Sequence, residues 1–235
     1  MQRPEELLRL LPLIDWVGLA CFIAAWAGYA IFARRRSHTR PSFLASSNRV
    51  RWRWMRQSTY REVRVLDGVV VQLQSSTASF FASTTILIIG ALVAVLGATE
   101  RASDLVRDLP FVARTSALVF DLKVVVLAAI FIYAFFRFTW SIRLYGVGVL
   151  LVAASPESDA VIDDAQRAAF ADRAGRVMGL AAESFNDGLR AYYMSFAAVA
   201  WFISPWAMLA TVAMVIGVLY RREFRSDVLH MLDGA

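Results

Sequence analysis

Four blocks of about 20 apolar residues, each long enough to cross a hydrocarbon layer of about 30 Å, divide the chain. They run from about Leu13 to Ala33, Ala78 to Leu96, Ala117 to Phe136 and Met194 to Tyr220. None alternates apolar with polar positions as a membrane β-strand does. The pattern predicts an all-α, four-span polytopic membrane bundle occupying residues 1–235 as a single integral membrane domain, with spans at about 13–33, 78–97, 117–136 and 194–220.

Between the spans lie two longer segments, 34–77 and 137–193, read as amphipathic cytoplasmic helical segments. In the first, Trp52, Met55, Val63, Leu66, Val70 and Leu73 stay near one helical face, and Arg51, Arg53, Arg56, Arg61 and Arg64 crowd the rest. A helix of that kind lies at a membrane surface with its Trp inward and its Arg towards lipid phosphates. The plainer alternative is a helix that packs on its neighbours and fixes topology. Asp67-Gly68 predicts a break before the second span. In the second segment, Ser155-Pro156 ends the third helix, and residues 158–193 predict a mostly continuous amphipathic helix. Asp159, Asp163 and Asp164 sit near its start, where they complement the helix dipole. Pro205, in the middle of the fourth block, removes a backbone hydrogen bond and predicts a kink.

Composition sharpens the class. Of 235 residues, 58% are hydrophobic and 19% charged, with a mean hydropathy of +0.53. An ordinary globular domain is about 45–50% apolar and about 25% charged, so disordered, collagen-like and typical soluble-enzyme classes are excluded. The net charge is +6, with a pI near 10.0. Nucleic acid is one partner a basic chain suggests, and the hydropathy argues against it.

The distribution of the charge is more telling. Ten Arg fall within residues 34–77, and Lys123 is the single lysine. The positive-inside rule then places both long segments in the cytoplasm and both termini outside. Arg221, Arg222 and Arg225 pull the other way, and the ten Arg outweigh them. The Arg-rich 34–64 stretch is expected to meet anionic lipid. A cleaved signal peptide is disfavoured, because Glu5, Glu6 and Asp15 precede or open the first block and Arg34, Arg35 and Arg36 act as a stop-transfer flank.

Ionisable groups at membrane depth are functional candidates. Asp15, Asp121 and Lys123 qualify. Asp121 and Lys123, two residues apart, point in different directions on a helix. An interhelical Asp15–Lys123 pair would satisfy the lysine, as a relay or as a lock. Alternatively, Lys123 snorkels to the interface. Ser79 and Ser83 share a face of the second span with Ser75, and Ala78 and Ala82 form a neighbouring small stripe. That face could line a polar path, although close helix packing is the preferred reading. Asn186 and Arg190, one turn apart, are candidate anion or headgroup contacts, or interfacial anchors flanked by Tyr192 and Tyr193.

Catalytic signals are scarce. The chain has no G-x-x-x-x-G-K-[ST], G-x-G-x-x-G, H-E-x-x-H or G-x-S-x-G. Cys21, His38 and His230 are too few and too dispersed for a Cys/His metal site. No cofactor, metal or catalytic residue is therefore expected.

Several short segments resemble one family. They are Asn48-Arg49 with Trp54-Met55, Ala82-Ser83-Thr84-Thr85-Ile86-Leu87, Trp140-Ser141 with Arg143, Gly188-Leu189-Arg190-Ala191-Tyr192-Tyr193, and Leu219-Tyr220-Arg221-Arg222-Glu223-Phe224. Together, over about residues 10–230, they resemble the bacterial membrane proteins catalogued as domain of unknown function 599. The resemblance implies a multi-span inner-membrane protein and carries no activity or catalytic residues. The expected function is a non-enzymatic membrane component, as a subunit, assembly factor or scaffold. A small oligomeric transporter or channel with a polar path near Ser79, Ser83 and Lys123 is the alternative, and a lipid-active or redox membrane enzyme the second. A homo-oligomer or another membrane partner is compatible with the first two.

Overall fold

The computed structural model describes residues 13–37, 40–99, 117–161 and 163–233. The tail carrying Arg3, Glu5, Glu6 and Arg9, the residue His38, and the second-loop residues Arg101, Arg107 and Arg114 lie outside the described residues. Among those described, every element is a helix: α1 Leu13–Ser37, α2 Phe43–Ser58, α3 Val65–Gly97, α4 Ala117–Ala153, α5 Asp164–Ala200, α6 Pro205–Phe224 and α7 Asp227–Asp233.

Local chemistry sets the boundaries. α1 has Asp15 in its first turn and Arg34, Arg35 and Arg36 in its last, each matching the sign of the helix dipole at that end. α2 begins after Ser42, whose backbone is extended and whose side-chain oxygen accepts the Ala45 N–H at 3.2 Å. It ends where Ser58 and Thr59 turn their hydroxyls onto the Met55 and Arg56 carbonyls, at 2.8 and 2.7 Å. Such local bonds compete with continued helix. α5 starts after Asp163, whose carboxylate accepts the Gln166 N–H at 2.6 Å. α4 ends before Ser155-Pro156, where the sequence places the end.

Three expectations are corrected. First, the break in the Arg-rich segment falls at residues 59–64. α3 passes through Asp67-Gly68 unbroken, because an acidic residue in a helix's first turn is favourable there. The break splits the expected apolar face: Met55 is buried, whereas Val63, Leu66 and Leu73 are exposed. Second, the amphipathic helix of the 158–193 segment begins at Asp164 and runs on to Ala200, into the fourth block. Third, that block is not one kinked helix. Residues 201–204 form a turn, with Phe202 N–H to Val199 O at 3.0 Å and Ile203 N–H to Ala200 O at 3.1 Å. Ser204 then caps α6 by accepting the Ala207 N–H at 3.0 Å. Pro205 becomes the first residue of the new helix, where a missing N–H costs no hydrogen bond.

Contacts divide the chain into two compact units. The first contains residues up to Arg36, Thr85–Tyr133 and Arg190–Tyr220. Within it, Trp201 bonds to Asp15 and the Arg190 guanidinium lies over the Tyr29 ring, so α1 and the end of α5 are antiparallel. Gly18 faces Pro205 and Met208, and the Phe32 and Tyr220 rings lie 6.3 Å apart, so α1 and α6 are parallel. The chain therefore reverses direction at residues 201–204.

The second unit contains Ser37–Thr84, Ala134–Leu189 and Arg221–Ala235. Its core joins Met55, Val71, Tyr145, Val152, Ala171, Ala174, Met178 and Ala181. The Phe81, Phe138 and Phe185 rings pack together with centroids 5.4–5.6 Å apart. Here the Leu44 N–H donates to Glu223 Oε1 at 3.3 Å, and α7 packs on α2. The expectation that the C-terminal tail lies across a membrane from the Arg-rich segment is thereby corrected: the two are in contact. The reversal at 201–204 brings them together, and periodicity alone does not reveal it.

Glycine makes the Phe cluster possible. A Cβ on Gly188 would stand 2.5 Å from the buried Phe138 ring, whereas one on Gly217 would meet nothing within 4 Å. Gly188→Ala should lower stability by about 1–3 kcal/mol through overpacking. Gly217→Ala should be neutral or stabilising by up to about 1 kcal/mol through helix propensity. Unfolding midpoints in detergent check the pair, and equal midpoints for the two variants would contradict this packing.

Candidate functional site

The first unit has a buried charged cluster built around the end of α5. A helix that stops leaves its last carbonyls without N–H partners, at the negative end of the dipole. Lys123 of α4 meets one of them: its Nζ donates to Trp201 O at 2.9 Å and lies 5.2 Å from the Trp201 ring centroid. Asp15 of α1 accepts the Trp201 Nε1–H at 2.6 Å, and the same oxygen is 4.0 Å from Lys123 Nζ. All three side chains are buried, with Trp201 1% and Lys123 2% exposed.

The structure thus brings Asp15 and Lys123 together. Lys123 does not extend to the protein surface, so the snorkelling alternative is corrected. A backbone carbonyl, an indole face and a carboxylate outweigh the gain from leading the ammonium outward. Asp121 is not part of this cluster, since it accepts Thr99 Oγ1–H at 2.6 Å. Trp201 is the member that sequence reasoning missed. Its signal was a large aromatic residue four positions before a proline, inside a block read as one helix.

The hydroxyl face of α3 points elsewhere. Ser79 is half-buried and returns its hydroxyl to Ser75 O at 3.0 Å, and Ser83 is exposed. Buried on this helix are Ala78, Ala82 and Thr85, so the small stripe packs. Thr85 and Tyr192 share a hydrogen bond of 2.7 Å in the first unit. Arg190 engages the Tyr29 ring at 5.9 Å. Asn186, in the second unit, lines a cavity together with Arg51 of α2.

Much of the second unit's polar chemistry was not visible in the sequence. Arg167, 5% exposed, donates to the carbonyls of Thr59, Glu157, Ser158 and Ala160 at 2.6–3.1 Å. Arg64 donates to the carbonyls of Ser58, Ser155 and Pro156. Asp67 accepts both Trp54 Nε1–H at 2.6 Å and Arg61 Nη1–H at 2.5 Å. Arg137 pairs with Asp187 at 2.6 Å. Arg61 and Arg64, expected to face lipid phosphates, are therefore bonded to protein groups. Tyr60 donates to Asp164 Oδ1 at 2.8 Å, a bond that raises its phenol above the ordinary value.

The described chain is an all-helical protein with three helices long and apolar enough to cross a membrane: Leu13–Arg36, Val65–Gly97 and Ala117–Ala153. It belongs to the family described as Protein of unknown function, DUF599, which matches residues 17–228. Neither a curated protein nor a solved structure is detectably similar to it.

The arrangement of Lys123, Asp15 and Trp201 has the chemistry of a lock, with each charge engaged by a fixed partner. Lys123→Met leaves the Asp15 charge buried without its cation and should cost about 3–5 kcal/mol. Asp15→Asn keeps an acceptor for the indole and should cost less. The double variant should lose less than the sum of the two, with a coupling above about 0.5 kcal/mol. Chemical unfolding in detergent reads the cycle, and strict additivity would separate the two residues.

Proposed function

We propose that this protein is a non-enzymatic component of a bacterial inner membrane, a subunit or scaffold that crosses the bilayer five times. The reversal at residues 201–204 carries this reading. α1, α3 and α4 supply three crossings, and the end of α5 and α6 supply an outward and a returning one. The last four of the 20 residues of α6 include Arg221, Arg222 and Glu223, so its apolar part would make a shorter crossing than α1, α3 and α4. The amino terminus then lies outside and the C-terminal tail in the cytoplasm. Arg221, Arg222 and Arg225 join the ten Arg of residues 34–77 on one side, and the conflict in the positive-inside count disappears.

The non-enzymatic role is supported by how the buried ionisable groups are used. Lys123 and Asp15 hold a helix end, Asp67 holds Trp54 and Arg61, and Arg167 gathers loop carbonyls. These contacts tie elements together. Anionic lipid remains the partner for exposed Arg49, Arg53 and Arg56 of α2. A polar transport path has less support, because Ser83 is exposed and Lys123 is engaged. A lipid-active enzyme has the least.

In a Cys21→Ala background, Arg40→Cys and Asp227→Cys should both resist a membrane-impermeant thiol reagent in intact cells and react once the membrane is opened. Labelling of position 227 from outside would restore four crossings and remove this topology. Native mass spectrometry from mild detergent should show the chain in an assembly, with itself or another membrane protein. A monomer alone would count against the subunit role.

A further inference from the structure

The second unit carries an open cavity of about 540 Å³, within the range of about 300–1,000 Å³ typical of small-molecule sites. Its apolar wall includes Phe43, Val70 and Phe185, and its polar groups include Arg51, Gln74 and Asn186.

Arg51, half-buried, differs from other bonded arginines of this unit. Arg61 and Arg137 have carboxylates, and Arg64 and Arg167 have clusters of carbonyls. Arg51 donates from Nη1 to the neutral Asn48 Oδ1 at 2.8 Å, and among the described residues no carboxylate pairs with it. A guanidinium carries five N–H donors, so most of its capacity is unused. Burial lowers its pKa from the ordinary value, the mark of a cation drawn out of water without full compensation. The side-chain amides of Gln74 and Asn186 likewise have no hydrogen-bond partner among the described residues. A desolvated cation and two unused amides thus border one partly apolar cavity.

We propose that this cavity binds a monoanionic amphiphile, its carboxylate or phosphodiester on Arg51 and Asn186 and its hydrocarbon against Phe43, Val70 and Phe185. One guanidinium balances one negative charge and can hold two oxygens of the same group. The apolar wall takes a chain that a free inorganic anion lacks. Two sources supply this chemistry: an anionic phospholipid of the bilayer, or a free organic acid. The site does not depend on how many times the chain crosses a membrane.

The test uses the full chain in a neutral maltoside detergent, titrated with dihexanoyl phosphatidylglycerol, sodium decanoate or decan-1-ol. Calorimetry gives affinity and native mass spectrometry gives stoichiometry. One equivalent of an anionic probe should bind, and decan-1-ol, with the same chain and no charge, should bind far more weakly. Arg51→Met should weaken binding at least about tenfold, as expected for loss of a charge-assisted bidentate contact. Arg176→Met, at an exposed position of α5 outside the cavity, should leave it unchanged. If Arg51→Met fails to fold, Asn186→Leu retains the cation and should weaken binding about threefold or more, the worth of one hydrogen bond. Binding of phosphatidylglycerol alone identifies a bilayer lipid, and binding of decanoate alone a free acid. Equal losses in Arg51→Met and Arg176→Met, equal binding of decan-1-ol, or no saturable binding of either anion would overturn the proposal.

Discussion

The turn that ends α5 is held by one ammonium group. Where the chain breaks at Trp201, the helix leaves carbonyls unpaired and concentrates partial negative charge there. Lys123 answers both needs with a bond of 2.9 Å to Trp201 O. The same residue's indole supplies an aromatic face to the cation and an N–H to Asp15. Three helices, α1, α4 and α5, therefore meet at one residue. Removing water from such a group is costly, and the site repays the cost only because carbonyl, ring and carboxylate converge on it. Everything downstream follows: α6 starts at Pro205, runs parallel to α1 and returns the chain to Leu44 through Glu223.

The second unit solves a related problem with guanidinium groups. Its helices end in short connections at residues 59–64 and 154–163, where carbonyls again lack helical partners. Arg64 and Arg167 each span several of those carbonyls, which a planar fork with five donors does better than an ammonium. Lysine serves the single carbonyl of the turn, and arginine serves the clusters. Part of the arginine in residues 34–77 is thus structural.

Much of the architecture was legible. The first three apolar blocks fall within the single helices α1, α3 and α4, Ser155-Pro156 marked a true end, and Asp163 lay at a true cap. The Asp15–Lys123 pairing could be read from scarcity, since a lone lysine at membrane depth needs an anion. The reversal could not be read from hydropathy, because a hairpin of two apolar helices and one kinked helix have the same profile. Ser204-Pro205 did carry a signal, a cap residue followed by the residue favoured at the first helical position. Its meaning depended on Trp201 being held by residues far away in sequence. Asp67 misled for the converse reason: Asp-Gly favours turns locally, but Trp54 and Arg61 bind the carboxylate where a helix begins. Asn186 does face a cavity, and its cationic neighbour there is Arg51, 135 positions earlier by number (186 − 51), a pairing that only the fold creates.

Buried charge therefore sorts into two kinds in this protein. Lys123, Arg137 and Arg167 are surrounded by acceptors supplied by the chain itself, and such groups hold elements in place. Arg51 has been drawn partly out of water with one neutral acceptor, beside amides that are also unused. A fold gains nothing in stability from that arrangement, since a buried polar group without partners costs free energy. Selection for stability alone would place an apolar residue or a carboxylate there. A desolvated cation facing a cavity is the arrangement expected when the missing acceptor arrives from outside the chain. The functional surface of this protein is accordingly to be sought where its charges are left uncompensated, whereas the contacts of Lys123 hold helices together.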